Sequence, residues 1–291
     1  MELWFVMAIG ATVTAGLAGF TTKVAAWHEH DSELFVLYSA FISLIWTVPL
    51  AWYYLEVDIH WFAIAVAFVA GLTASVTGIM RIYALRYIDT TIYFPLFKLV
   101  SPILAVIIGI SFFAESFSGQ EWLGILLSLL VPLFLITKTE QGRQKNLTKG
   151  LLLVLVTGFV SAITVGMNKY AIDLFPEVFT LMLALVLGTI LGSLVLSVKK
   201  RGYRNMKTAI RDHTNRDLLW LSLWRSVLIS TSFGMTLFAF ALGGPLGIVY
   251  TIHSLYILIP IILAIVLYDE HWNLQKVLAI TLSVAALALL H

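Results

Sequence analysis

Four basic side chains interrupt long apolar runs of this chain: Arg81, Lys98, Arg225 and His253. At the centre of a bilayer such a group costs about 2.5 to 3.5 kcal/mol or more unless water, a partner or a ligand receives it. Lys98 is the deepest, flanked by Phe97 and Leu99, with Tyr93, Phe94 and Ser101 within one turn. Arg81 ends a polar stripe, Thr73, Thr77, Arg81, spaced at every fourth residue. No Asp or Glu occupies a comparable depth, so charge complementarity favours an anionic or zwitterionic cargo of the amino acid or organic acid class. Each basic group also has a structural reading. Lys98 could bond carbonyls or pair with Asp89, His253 could close an interhelical hydrogen bond, and the long stem of Arg225 predicts snorkelling to the surface. If His253 instead faces water, an imidazole that titrates near neutrality is a candidate proton carrier.

Aromatic and small polar residues surround these positions in the sequence. Trp46 and Trp224 lie farther from segment ends than the other tryptophans, and with Tyr83, Tyr93, Tyr250 and Tyr256 their ring faces could wall a site. An aromatic cage of that kind suits a quaternary amine or a cationic drug, which is the alternative cargo. Two stripes match in spacing: Ala11, Ala15, Ala18, Thr22 and Thr157, Ser161, Thr164, Asn168. Small and hydroxyl side chains at that spacing either line a cavity or let helices approach closely, and Asn168 at a helix end points toward water. Gly188 and Gly192 form a small-xxx-small pair that reads as packing.

The elements that hold these residues follow from composition. Sixty per cent of residues are hydrophobic and 12% charged, against about 45 to 50% and about 25% in soluble domains. About 20 apolar residues cross a bilayer as a helix, and ten such segments tile the chain, near 3–27, 33–55, 60–87, 90–114, 120–138, 149–172, 176–199, 217–242, 246–268 and 273–290. The expected class is an all-α integral membrane protein of ten transmembrane helices. The first segment has neither a basic leader nor a small-residue cleavage site, so it reads as a retained span.

The chain also repeats itself. Ile107 to Ser128 overlays Ile262 to Ser283 without a gap, pairing Glu115 with Glu270, Gln120 with Gln275 and Ser128 with Ser283. Five segments per half place the second half in the membrane upside down, so residues 1–140 and 141–291 read as two inverted-topology repeats. The same shift sends Lys98 to His253. Lys and Arg gather in odd-numbered connections, at Lys138 to Lys149 and at Lys199 to Arg216, whereas the even-numbered ones hold Glu56, Asp58, Asp173 and Glu177. The positive-inside rule then makes the odd connections cytoplasmic and puts both termini outside a cell membrane.

These features resemble the drug/metabolite transporter superfamily, in its EamA-like branch of two repeated domains. The resemblance rests on Gly19-Phe-Thr-Thr-Lys23 and Gly166-Met-Asn-Lys169, on Ala84-Leu85 leading to Pro102, and on Glu115, Gln120 and Gly124, partly echoed by Pro260, Glu270 and Gln275. Ala279 stands where that family favours Gly, and Pro260 does not align with Pro102. The resemblance implies a central cavity lined by helices one to four and six to nine, helices five and ten as scaffold, and secondary transport of a small polar metabolite. The candidate binding residues are Lys98, His253, Arg81, Tyr93, Ser101, Tyr250, Tyr256 and Asn168.

Other classes leave weaker traces. A channel or an integral-membrane enzyme is the alternative of another class, but His28-Glu29-His30 and Asp269-Glu270-His271 lack the spacing of a helical metal site. No Gly-rich loop ending in Lys-Ser or Lys-Thr is present, which argues against ATP hydrolysis. No cofactor is implied. The expected partners are a small-molecule substrate, a coupling proton or ion, and the lipid bilayer, with no nucleic acid and a monomeric chain.

Overall fold

The computed structural model describes residues 2–28, 30–54, 59–85, 87–88, 90–135, 147–202, 208, 210–211, 214–259, 262–263 and 274–291. The basic link 138–146, Asp89, Pro260 and the cluster Asp269 to His271 lie outside the described residues. Among the described residues the helices with defined bounds are α1 (Leu3–Trp27), α2 (Ser32–Tyr53), α3 (Trp61–Leu85), α4 (Thr90–Phe113), α5 (Gly119–Phe134), α6 (Leu147–Leu174), α7 (Val178–Arg201), α8 (Arg216–Ala241), α9 (Leu246–Ser254) and α10 (Leu274–Leu289). Seven of them, α1 to α4 and α6 to α8, are long and apolar enough to cross a membrane, while α5, α9 and α10 are shorter apolar helices. The protein is an all-α membrane protein. Hydropathy predicts one span over 246–268; within it the α-helix stops at Ser254 and tightens into a 3₁₀ turn at Leu255–Ile257.

Helix starts are set by side chains that satisfy the free N–H groups of a first turn. Asp31 accepts from Glu33 N and Leu34 N at 3.1 Å each before α2. Ser118 and Glu121 form a reciprocal capping box on α5. Asn215 Oδ1 accepts from Leu218 N at 2.7 Å before α8. The start of α9 is capped from the other half of the chain: Glu115 accepts from Leu246 N, and from Gly247 N at 3.0 Å. A carboxylate there also meets the positive end of the helix dipole.

The helices pack in a pattern that advances by five. α1 lies on α8 and α9, as α6 lies on α3 and α4; α2 packs on α8 as α7 packs on α3; α2 with α7, α4 with α9 and α5 with α10 map onto themselves. The closest approach is between α3 and α7. A Cβ on Gly71 would lie 2.0 Å from Leu185 O and one on Gly188 2.0 Å from Phe68 O, so these backbones touch. The packing predicted for Gly188 and Gly192 is therefore what the structure contains, Gly192 lying against Ser75. The related α2–α8 seam is built from hydroxyls instead: Ser43 Oγ meets Ser226 Oγ at 2.8 Å and accepts from Ser230 Oγ at 2.9 Å. Large side chains such as Trp52, Trp61 and Phe112 project outward on the surface that lipid would cover.

A candidate substrate cavity

A cavity of about 200 Å³ lies at the centre of the helices. Residues of α1 to α4 and α6 to α9 and of the 3₁₀ turn line it, and none of its described lining comes from α5 or α10. The lining reaches Thr22 near the end of α1, Val36 near the start of α2 and Arg81 near the end of α3. At the opposite helix ends Phe5 and Ala8 of α1, Ile172 of α6, Leu181 of α7, Phe240 of α8 and Leu246 of α9 belong to one buried apolar cluster. The cavity therefore extends toward the face of the odd-numbered connections and is packed shut toward the even-numbered face.

Arg81, Lys98, Arg225 and His253 all line this cavity, and no Asp or Glu does so among the described residues. Lys98 is 2% exposed and its Nζ rests 3.6 Å from the centroid of the Tyr256 ring, with the Phe97 ring at 5.5 Å. Arg81 Cζ lies 5.1 Å from that same Phe97 ring. Cation–π contacts of this kind give a desolvated charge partial compensation without neutralising it. Arg225 is not at the surface, where snorkelling would send it. Its guanidinium lines the cavity and sits 5.3 Å from the Phe35 ring, because the open interior supplies the polar environment that the membrane edge otherwise would.

On α9 the aromatic and basic groups form one stack. Tyr250 and His253, three residues apart and so on one helix face, are parallel at 5.8 Å, and Tyr256 meets His253 edge-on at 5.5 Å. The Tyr250 hydroxyl is held between Ser161 Oγ at 2.7 Å and Ser101 Oγ at 3.1 Å, joining α9 to α6 and α4. Ser101 and Tyr93 thus stand behind the lining. Ser101 orients Tyr250, and Tyr93, fully buried, stacks on Phe97 at 5.8 Å. Of the eight predicted site residues, Lys98, His253, Arg81, Tyr250, Tyr256 and Asn168 meet in the cavity wall.

The two small-residue stripes do both things predicted for them. Ala15, Ala18, Thr22, Ser161, Thr164 and Asn168 face the cavity, whereas Ala11 O accepts from Ser232 Oγ at 2.8 Å in the α1–α8 contact. Trp46, Tyr83 and Trp224 are not among the lining residues. Sequence reasoning missed Phe97, Ser43 and Ser230 as lining; no signal distinguishes Phe97 from its apolar neighbours, while the Ser222, Ser226, Ser230 spacing marks a hydroxyl stripe on α8. Three lining residues keep a buried polar atom with no hydrogen-bond partner in the described structure: Arg81 Nε, Asn168 Oδ1 and His253 Nδ1. Unsatisfied groups of this sort cost about 1 to 3 kcal/mol each, and at a cavity wall a ligand or water can supply the missing partner. No group of three His, Asp or Glu residues that could hold a metal occurs among the described residues.

A multi-helix membrane protein with a polar central cavity is the class that this fold and site define. Residues 2–137, which span the first five helices, match the EamA-like transporter family. A solved crystal structure superposes with a TM-score of 0.73, covering 99% of this chain and 98% of its own length at 13% identity, so the two share the fold. No curated protein sequence matches the chain.

Proposed function

We propose that the chain is a secondary carrier of small anionic or zwitterionic metabolites, working by alternating access of two five-helix inverted repeats, residues 1–140 and 141–291. The observation that carries the cargo class is the set Arg81, Lys98, Arg225 and His253 around one cavity without a described carboxylate. An anion is the ligand that relieves such a set. Helix contacts that recur on advancing by five support the repeat, as does the correspondence of Glu115 with Glu270 in sequence. The basic odd-numbered connections support a cell-membrane orientation with the cavity reached from the cytoplasm.

An aromatic cage for a quaternary amine fits less well, because Lys98 already occupies the face of Tyr256 and would repel a second cation. The test is a thermal-shift screen of the purified protein with anionic, zwitterionic and quaternary-ammonium metabolites, followed by counterflow in proteoliposomes. Anions or zwitterions are expected to stabilise the protein, to exchange across the vesicle membrane, and to lose both effects in Lys98→Ala. Hits confined to quaternary amines and unchanged in that variant would overturn the cargo class. Absence of exchange stimulated by substrate on the far side would point to a channel.

A further inference from the structure

Resting on that carrier reading, we infer that the charged head of the cargo is one compact tetrahedral dianion, the phosphoryl group of a soluble phosphomonoester, held where Arg81, Lys98, Arg225 and His253 converge. A carboxylate is the weaker ligand at that point.

The register of the helices brings the cations to one level. Helix α4 runs beside α6 in the same direction: a Cβ on Gly158 would lie 2.8 Å from Val100 Cγ1, and one on Gly166 3.2 Å from Ile108 Cγ2. Helix α3 runs the other way and meets α6 where Thr73 Oγ1 lies 2.7 Å from Thr164 Oγ1. Counting from these contacts, Arg81 and Lys98 face the same turn of α6. Between α1 and α8, Gly10 faces Met235 and Ala11 O accepts from Ser232 Oγ, which sets Arg225 level with Gly19. Gly19 in turn faces the Tyr256 ring on which Lys98 rests. Asn168 stands about twelve residues, about 18 Å, farther along α6 and takes no part in this level.

Charge and shape then select the ligand. Arg81 is within electrostatic reach of Lys98 and Arg225, and His253 within reach of Arg81 and Lys98. Three cationic side chains thus stand around one part of the cavity with aromatic rings against them and no described carboxylate among them. A monoanion compensates one charge of such a set, a dianion two. The four groups come from α3, α4, α8 and α9, so they approach from different sides. A phosphoryl group turns three terminal oxygens in separate directions and accepts paired N–H groups from arginine; a carboxylate has two oxygens in one plane. Arg81 Nε and His253 Nδ1 supply a second, independent observation: both are buried polar atoms of this set with no hydrogen-bond partner in the described structure.

The experiment separates charge from shape with four small probes: methylphosphonate, methanesulfonate, malonate and acetate, at a pH where the phosphonate carries two charges. Methylphosphonate is a tetrahedral dianion, methanesulfonate a tetrahedral monoanion, malonate a dianion of two planar groups and acetate a planar monoanion. Binding to the purified protein is read from the concentration dependence of the thermal shift. Methylphosphonate is expected to bind about tenfold tighter than malonate or methanesulfonate, as one further charge-assisted hydrogen bond supplies, with acetate weakest. Arg225→Gln should bring methylphosphonate down to malonate, and Arg225→Lys should keep part of the difference. Malonate or methanesulfonate binding as tightly as methylphosphonate, an intact phosphonate preference in Arg225→Gln, or no shift from any probe would each overturn the phosphoryl head. The ranking on the parent protein decides even where a variant does not fold. Phosphatidate in nanodiscs tests the source: glycerol 3-phosphate is expected to bind undiminished, whereas its displacement by the lipid would assign the site to a lipid headgroup and overturn the soluble ester. The broader anion-carrier reading fails separately, when quaternary amines alone bind.

Discussion

Lys98 Nζ lies 3.6 Å from the centroid of the Tyr256 ring, so the charged group of one half of the chain is held by an aromatic face of the other. Both residues line the cavity, and no described carboxylate shares it with them. An ammonium kept this way is poised for an anion and is costly while none is bound, because partial compensation by a ring does not repay the loss of water. Lys98→Met keeps most of the stem and removes the charge. The variant is expected to unfold at a higher temperature than the parent, by the equivalent of about 1 to 4 kcal/mol, and to lose stabilisation by anions. Thermal unfolding with and without a ligand identified in the screen measures both. A variant that is less stable and still responds fully to anions would make Lys98 a structural residue.

Tyr250 ties three helices through one oxygen. Removing it in Tyr250→Phe leaves Ser101 and Ser161 without their partner and frees the ring that stacks on His253. The expected loss is about 1 to 3 kcal/mol, from two hydrogen bonds of about 0.5 to 1.5 kcal/mol each. Adding Ser101→Ala to Tyr250→Phe should cost less than the sum of the two single changes, since both remove the same contact. Additive losses in thermal unfolding would show that the contact carries no energy.

Much of this site is legible in the sequence. Arg81, Lys98 and His253 stand out because ionisable groups inside apolar runs are rare for an energetic reason, and the shift that overlays Ile107 to Ser128 on Ile262 to Ser283 also sends Lys98 to His253. The contacts that orient them were not legible. Nothing local says that Ser101 serves Tyr250, 149 positions away, or that Glu115 reaches Leu246. Arg225 shows the limit best: its sequence neighbourhood is equally compatible with a surface anchor, and only the position of the cavity beside α8 decides against that.

Glu115 caps α9 through two N–H groups and lies over Gly109, where a Cβ would come 2.3 Å from its Oε2. Glu115→Ala removes both hydrogen bonds and the favourable charge at the helix start. A loss of about 1 to 2 kcal/mol is expected, with Glu115→Gln intermediate because it keeps one acceptor. Thermal unfolding of the three proteins checks the order; an alanine variant as stable as the parent would leave the cap without a role.

The α3–α7 contact predicts an asymmetric response to one added methyl group. In Gly188→Ala the new Cβ meets a carbonyl oxygen of the facing backbone, which has no rotamer to relieve it. The helices must separate, at a cost of about 1 to 3 kcal/mol or more. Gly119→Ala, at a position with nothing within 4 Å, serves as the comparison and should be neutral or gain up to about 1 kcal/mol from helix propensity. Equal effects of the two substitutions on thermal unfolding would contradict backbone contact at Gly188.

The access of the cavity can be read directly, because the chain contains no cysteine and any introduced thiol is the only one. Thr22 and Val36 line the cavity near the odd-numbered connections, and Ala8 and Leu237 belong to the buried cluster at the opposite ends of α1 and α8. In the described conformation Thr22→Cys and Val36→Cys are expected to react with a membrane-impermeant thiol reagent from one face of the membrane. In the proposed orientation that face is cytoplasmic, so inside-out vesicles should label and right-side-out vesicles should not. Ala8→Cys and Leu237→Cys should resist the reagent from both sides until the proposed alternation exposes the other end of the cavity. Substrate that favours the opposite conformation would then lower labelling at Thr22→Cys and raise it at Ala8→Cys, since a ligand shifts the two states only by its differential affinity for them. Labelling of Thr22→Cys in right-side-out vesicles alone would reverse the orientation while leaving the cavity in place. Equal labelling of both pairs from both faces would be incompatible with a closed even-numbered side, and with it an alternating carrier.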